Sequence, residues 1–352
     1  MKYKVLGSSG LKVAEICLGT MTFGEEFGIG APENACREIY DAYREAGGNF
    51  VDTADIYNAG TSERMLGSFI ADDRDRIVLA SKYSLNTRTD DPNAGGSHRK
   101  NLVQSLEASL KRLGTDYIDL YWVHAWDGST GIGEVMRALN DQVRLGKILH
   151  IGISNAPAWV ISAANTLACE RGWTPFTAMQ LHYNLVERSI EHDYFALANA
   201  QDMAITPWSP LAGGLLTGKF NRNADQGAQE GTRLADSPRR AQVLQDKNLA
   251  VAERLAALAK EVGCSAAQLA LTWMMRRTSG CVVPIIGARN LAQLQDNLGA
   301  ARVRLEAEQI AALDELSAPE TMYPQTLYAS DFFRMMMYGE AWEKLSLDRP
   351  WK

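Results

Sequence analysis

No Cys-x-x-Cys pair occurs in this sequence, and its five cysteines (Cys17, Cys36, Cys169, Cys264 and Cys281) are odd in number and widely scattered. That pattern argues against a zinc ribbon or a dithiol redox motif and fits reduced thiols in a cytoplasmic protein. Histidine is also scarce, and His98, His150, His182 and His192 show no metal-ligand spacing, so no metal site is expected. Long apolar runs are missing too. Glu253 and Arg254 interrupt the stretch from Leu249 to Leu258 well before it could span a bilayer. The opening Met1-Lys2-Tyr3-Lys4-Val5 has neither the apolar core nor the cleavage site of a signal peptide. Positive charge is not in excess: 36 Lys+Arg against 42 Asp+Glu give a net charge of −6. No nucleic-acid backbone or anionic membrane surface is therefore expected as a partner. The glycine fingerprint of an open dinucleotide-binding sheet is incomplete as well. Gly28-Ile29-Gly30 runs on into Ala31-Pro32-Glu33, and Gly131-Ile132-Gly133 also lacks its third glycine.

What is present is periodic. A short hairpin, Tyr3–Leu6 with Leu11–Val13, turns through Gly7-Ser8-Ser9-Gly10. Eight short apolar runs follow: 16–18, 50–52, 77–80, 118–123, 148–153, 177–181, 204–206 and 281–286. Between most of them lie amphipathic segments of helical length, around 33–46, 132–145, 157–170, 188–201 and 249–278. Leu102, Val103, Leu106, Leu110 and Leu113 line one face of another. Parallel strands need such crossovers, and eight βα units predict a closed (β/α)8 TIM barrel of α/β class. The whole chain, 1–352, reads as a single domain with its barrel core at about 14–300. Two stretches exceed a minimal barrel: a long polar loop after strand seven (212–240) and a C-terminal extension from about Ser317. The extension holds Phe332-Phe333-Arg334-Met335-Met336-Met337-Tyr338, which reads either as a flap over the barrel mouth or as a contact in a homo-oligomer.

In such barrels the chemistry sits at the C-terminal ends of the strands. Those positions hold Asp52 and Tyr57 after strand two, Lys82 after strand three and His124 ending strand four. Taken singly, each has a plain structural reading: a turn cap, a packing ring, a solvated strand end, a satisfied core histidine. Together they fit one reaction. A phenol with an ordinary pKa near 10 shuttles protons poorly at neutral pH. A nearby ammonium, itself anchored by a carboxylate, stabilises the phenolate. Tyr57 is then the acid, Lys82 the tuning charge, Asp52 its anchor, and His124 a donor that orients a carbonyl oxygen.

Several motifs carry a resemblance. Gly47-Gly48-Asn49-Phe50-Val51-Asp52-Thr53-Ala54-Asp55-Ile56-Tyr57, with Glu63 and Gly67, resembles the first signature of the aldo-keto reductase superfamily. Ile77–Lys82 resembles its lysine strand, Tyr121–His124 its histidine strand, and Gly146–Asn155 the segment ending in Ser-Asn. The similarity runs from about Leu6 to Leu298 with the motifs in order, and it implies that Asp52, Tyr57, Lys82 and His124 form a catalytic tetrad. Extra residues between Tyr57 and Glu63, and Ala156 where an aromatic is usual, depart from the short-loop branch. In those features the chain resembles bacterial long-loop branches related to potassium channel β subunits.

The resemblance further implies a bound NADP(H). Ser154, Asn155 and Gln180 would hold the nicotinamide carboxamide, and Trp208 would stack on the ring. The loops after strands seven and eight commonly bind phosphate in barrels. Here Ser209, Pro210, Leu211, Gly213 and Lys219 resemble the family's pyrophosphate clasp, with Arg233 helping to close the long loop. Gly287, Ala288, Arg289, Gln293, Asp296 and Asn297 resemble its adenosine 2′-phosphate and adenine site. The Arg289 fork suits a phosphate dianion. Gly19, Thr20 and Met21, with Asp52, are expected to line the same floor. The activity implied is reduction of aldehydes and ketones, small-molecule carbonyl substrates, to alcohols. The rival readings are a slow redox-sensing regulatory module and a phosphate-binding barrel isomerase or lyase.

Overall fold

The strands form where the apolar runs predict them. The computed structural model describes residues 1–220, 234, 240–277 and 281–345. Strands β1 (Tyr3–Val5) and β2 (Lys12–Ala14) pair as an antiparallel hairpin. They are followed by β3 (Cys17–Gly19), β4 (Phe50–Asp52), β5 (Val78–Tyr83), β6 (Ile118–Val123), β7 (Ile148–Ser154), β8 (Phe176–Gln180), β9 (Ala204–Ile205) and β10 (Ile285–Ile286). These eight are parallel neighbours in the order β10-β3-β4-β5-β6-β7-β8-β9. The sheet closes on itself beside β9: Ile205 N–H donates to Cys281 C=O at 2.8 Å, and Val283 and Ile285 N–H donate to Ile205 and Pro207 C=O, each at 2.9 Å. The fold is thus the (β/α)8 barrel that the eight units predict.

Strand alternation sorts the core into two layers, because successive side chains face opposite sides. Phe50, Ala80, Leu120, Trp122, Ala178 and Val283 fill the barrel interior. Val51, Leu79, Tyr121, Ile151 and Met179 face outward, in one cluster with Leu102 and Leu106 of α3 (Arg99–Leu113), Leu139 of α4 (Ile132–Arg144) and Ile161 of α5 (Ala158–Arg171). The helices α1 (Glu33–Glu45), α2 (Thr61–Ile70) and α6 (Tyr194–Gln201) complete this part of the outer layer. Interior space is tight: a Cβ at Gly152 would lie 2.3 Å from the Trp122 ring.

The hairpin stoppers the far end of the barrel. Leu6 and Val13 join the interior cluster. A Cβ at Gly7, whose φ is +52°, would lie 2.2 Å from Thr177 O. Lys4 Nζ donates to the carbonyls of Met275 and Val282, at 3.1 and 2.7 Å.

Three expectations on element boundaries are corrected. The 188–201 segment is a 3₁₀ turn (Ser189–Glu191) followed by α6, because Arg188 is committed to Glu191, at 2.7 Å, and to the Asp314 carbonyl, also at 2.7 Å. After α7 (Arg240–Val243), the 249–278 segment is two helices, α8 (Asp246–Val262) and α9 (Ala266–Met275). Left-handed Gly263 ends α8, and a Ser265–Gln268 capping box starts α9. The eighth run is a strand only at Ile285–Ile286, since Pro284 has no N–H to give a ladder. The barrel ends with α10 (Leu291–Gly299) and α11 (Ala307–Leu316), and the extension adds α12 (Gln325–Tyr328) and α13 (Asp331–Tyr338). In α13, Phe332 and Met336 are 73% and 69% exposed, so this face lies in solvent rather than against the barrel. Among the described residues, no helix is long and apolar enough to cross a membrane.

Candidate active site

Three strand ends and one turn bring the predicted acid, cation, carboxylate and imidazole together. Asp52 ends β4, Lys82 lies near the end of β5, and His124 follows β6. Tyr57 opens a 3₁₀ turn in which Asn58 and Ala59 take left-handed φ of 47° and 52°. Asn58 bolts that turn in place. Its Nδ2 donates to the Met21 and Phe23 carbonyls, at 3.0 and 2.9 Å, and its Oδ1 accepts from Phe27 N–H at 2.8 Å. Sequence reading passed over Asn58, although tolerance of left-handed backbone is an Asn property.

Lys82 is fully buried, and its three N–H groups are all committed. They go to Asp52 Oδ1, to the Thr53 carbonyl at 2.7 Å and to the Tyr57 hydroxyl at 3.0 Å. Burial alone would lower the ammonium's pKa, but Asp52 and Tyr57 overcome it and hold Lys82 above the usual lysine value. The Tyr57 hydroxyl therefore sits against a permanent positive charge. The other Asp52 oxygen, Oδ2, accepts from Gln180 Nε2 at 2.9 Å. His124 meets the Tyr57 ring edge-on, with centroids 5.9 Å apart and an 83° interplanar angle. Burial, and then the charge on Lys82, push His124 down to about 3, so it is a neutral imidazole near pH 7.

On the other wall, Asn155 has a left-handed φ of 48°. Its Nδ2 donates to the His124 carbonyl and to Ser154 Oγ, both at 2.9 Å, and its Oδ1 accepts from Trp208 Nε1 at 3.1 Å. His182 stacks on Trp208 at 4.1 Å and 9°. Asn184 Nδ2 braces the same corner through the Ser209 carbonyl at 3.0 Å.

These groups open into a cavity of about 920 Å³ lined by Gly19, Met21, Asp52, Tyr57, His124, Asn155, Gln180 and Trp208. A second hollow of about 220 Å³ is lined by Pro210, Leu211, Lys219, Ala288, Arg289, Gln293, Asp296 and Asn297. Thr22, Ser209, Gly213 and Gly287 line both, so the two are contiguous. A long anionic ligand fits this pair: two cations and little side-chain bulk at one end, hydrogen-bonding amides and aromatic rings at the other. At the cationic end the loop backbone is held by Gln293 Oε1, which accepts from Arg289 N–H at 2.9 Å, and Asp296 is fixed by Gln268 Nε2 at 3.0 Å.

Two predicted residues stand behind the surface. The Thr20 hydroxyl bonds Ser62 Oγ at 2.8 Å, and Ser154 is buried beneath Asn155. Arg233 lies outside the described residues. Thr22 was not foreseen. It lines both hollows and ties them together, donating to the Ala288 carbonyl at 2.8 Å.

A buried acidic pair lies behind the tetrad. Glu63 accepts from Ser81 Oγ and from Arg112 Nε, each at 2.6 Å. Asp55 is 3% exposed, and its carboxyl oxygens make no well-formed hydrogen bond, the Ser105 hydroxyl and the Ile56 N–H only partly offsetting its burial. Burial, and then the neighbouring Glu63, push Asp55 up to about 7 from the ordinary 3.8. The folded state thus binds this proton more tightly than the unfolded chain does. The resulting stability is full below about pH 4 and is lost as pH rises through about 7. Asp55→Asn removes that loss, so it should raise the denaturation midpoint more at about pH 8 than at about pH 5, by up to a few kcal/mol. Equal shifts at both pH values would place the Asp55 proton elsewhere.

Residues 15–318 match the Aldo/keto reductase family. The chain is 34% identical over 333 residues to norsolorinic acid reductase of Aspergillus flavus, covering 92% of this chain and 82% of that protein. It is 37% identical over 327 residues to norsolorinic acid reductase stcV of Emericella nidulans, covering 90% and 81%. An aryl-alcohol dehydrogenase of Pestalotiopsis microspora is 33% identical over 317 residues, covering 88% and 80%.

Proposed function

Because this chain belongs to the aldo/keto reductase family, and so to the oxidoreductases, we propose that it reduces aldehydes and ketones to alcohols with NADPH, Tyr57 acting as the general acid. The observation that carries this reading is the Lys82 ammonium, buried between Asp52 and the Tyr57 hydroxyl at the mouth of a closed barrel.

NADPH bound along the two hollows supplies hydride to the carbonyl carbon. The chain's own residues do the rest. Tyr57 gives its proton to the carbonyl oxygen, and the resulting phenolate stays against the ammonium 3.0 Å away. Asp52 keeps that ammonium charged in a fully buried position. A neutral His124 can offer N–H to the carbonyl oxygen without competing for the proton that Tyr57 delivers. Asn155 and Gln180 are suited to a primary carboxamide and Trp208 to an aromatic ring, while Lys219 and Arg289 are suited to phosphates. Phe27, Ile56, Leu85 and Val186 give the outer cavity an apolar wall, which favours aryl carbonyl compounds among substrates. The name of one relative, an aryl-alcohol dehydrogenase, points the same way.

The test is consumption of NADPH, and separately of NADH, by the protein with a panel of aryl and alkyl aldehydes and ketones. Carbonyl-dependent loss of the reduced-nucleotide absorbance is expected, fastest with NADPH. Tight NADPH binding without turnover on any carbonyl would favour a regulatory module. Arg289→Ala in the same assay should raise the KM for NADPH by about ten- to a hundredfold and leave that for NADH nearly unchanged, the loss of one charge-assisted phosphate contact. A variant with unaltered preference between the nucleotides would remove Arg289 from the 2′-phosphate.

A further inference from the structure

Gln180 reaches in two directions. Its Nε2 donates to Asp52 Oδ2 at 2.9 Å, while Lys82 holds the other oxygen of the same carboxylate. The donor and acceptor residues are 3% and 2% exposed, so water does not compete for this bond. The Gln180 amide oxygen has no hydrogen-bond partner among the described residues, and the side chain lines the large cavity beside Asn155. An amide is polarised as one unit, so a donor arriving at its oxygen strengthens the N–H bond given at its other end.

We propose that Gln180 is a positioning residue that links occupancy of the cavity to ionisation of the Asp52–Lys82–Tyr57 chain. A primary carboxamide donating to Gln180 Oε1 tightens the bond from Gln180 to Asp52. Asp52 then holds Lys82 less strongly, and more of the ammonium's field falls on the Tyr57 oxygen, favouring phenolate. This link rests on the reading of the cavity as a nicotinamide nucleotide site. Coupling is reciprocal, so the ionisation of Tyr57 must in turn change nucleotide affinity, with tighter binding at higher pH.

The other groups facing this chain leave that signal readable. The Cys17 thiol on β3 is pushed well up by burial and then by Asp52, and His124 beyond β6 is held down at about 3. Asp55 is pushed up to about 7, but the side chains acting on its carboxyl are Glu63, Arg112 and Ser105, and it meets Lys82 only through its backbone N–H, which donates to the Lys82 carbonyl at 3.3 Å. Asp55→Asn is therefore the control that should leave the binding profile unchanged.

The experiment is titration of NADPH by fluorescence, in the absence of any carbonyl compound, from about pH 6 to about pH 10, across the range where a tuned phenol can ionise. The wild-type Kd should fall by about fivefold or more across the titration. Gln180→Met should weaken binding and abolish the slope. Gln180→Asn, which keeps the amide but is one methylene too short to bridge, should also lose the slope, with circular dichroism confirming that both variants are folded. A variant that weakens binding by one constant factor, with the wild-type slope intact, would make Gln180 a ligand only and overturn the link. Wild-type binding with no slope would overturn the link while leaving the nucleotide site standing. No wild-type binding would overturn both.

Discussion

Tyr57→Phe should lower kcat for carbonyl reduction by about two to four orders of magnitude, the usual range for deleting a positioned general acid. Nucleotide affinity should change little, because the ring stays and only the hydroxyl goes. That hydroxyl is 3.0 Å from Lys82 Nζ, and no other phenol is placed against that ammonium in the site. Steady-state kinetics paired with an NADPH binding titration separates the outcomes. Turnover within a few-fold of wild type would take the acid role away from Tyr57. Loss of nucleotide affinity in step with kcat would make Tyr57 a binding residue instead.

Lys82→Met is the second large effect, and it should appear in stability as well as turnover. Removing the cation leaves the Asp52 carboxyl 2% exposed without its counter-charge, with Gln180 as its remaining side-chain partner among the described residues. Breaking a buried ion pair on one side costs about 3–5 kcal/mol. The double variant Asp52→Asn/Lys82→Met removes both charges, so it should recover much of that stability in a denaturant melt. It should recover none of the activity, since the ammonium that stabilises the phenolate is still missing. A single variant as stable as wild type would mean that water or another cation reaches Asp52. A double variant no more stable than the single one would mean that the loss is packing rather than charge.

The sequence was most informative where periodicity and strand ends coincide. Each of the eight apolar runs overlaps a barrel strand, and Asp52, Tyr57, Lys82 and His124 converge because adjacent strand ends face one mouth. The residues expected to hold a nucleotide were read from motif order, and all the described ones except Thr20 and Ser154 line one of two contiguous hollows. Element boundaries were less legible where special backbone intervenes. Gly263 splits a continuous apolar pattern into α8 and α9, a break that hydrophobic spacing alone does not carry. Side-chain partners across the barrel were not legible at all. The bond from Gln180 to Asp52 joins residues 128 positions apart, and no local pattern encodes it. Asp55 belongs to the same signature as Tyr57, yet its raised pKa depends on burial and on Glu63, both properties of the folded interior.

The hairpin that closes the bottom of the barrel sets an order of assembly. Lys4 donates to the carbonyls of Met275 and Val282, which follow it by 271 and 278 residues. During synthesis Lys4 therefore reaches these two carbonyls only after nearly the whole barrel has been made. Contacts this distant in sequence slow the final stage of folding and lengthen the exposure of sticky intermediates. A nascent chain arrested short of Val282 is left with an open seam between Ile205 and its missing partners, and holding such chains soluble is work for chaperones rather than for the fold itself.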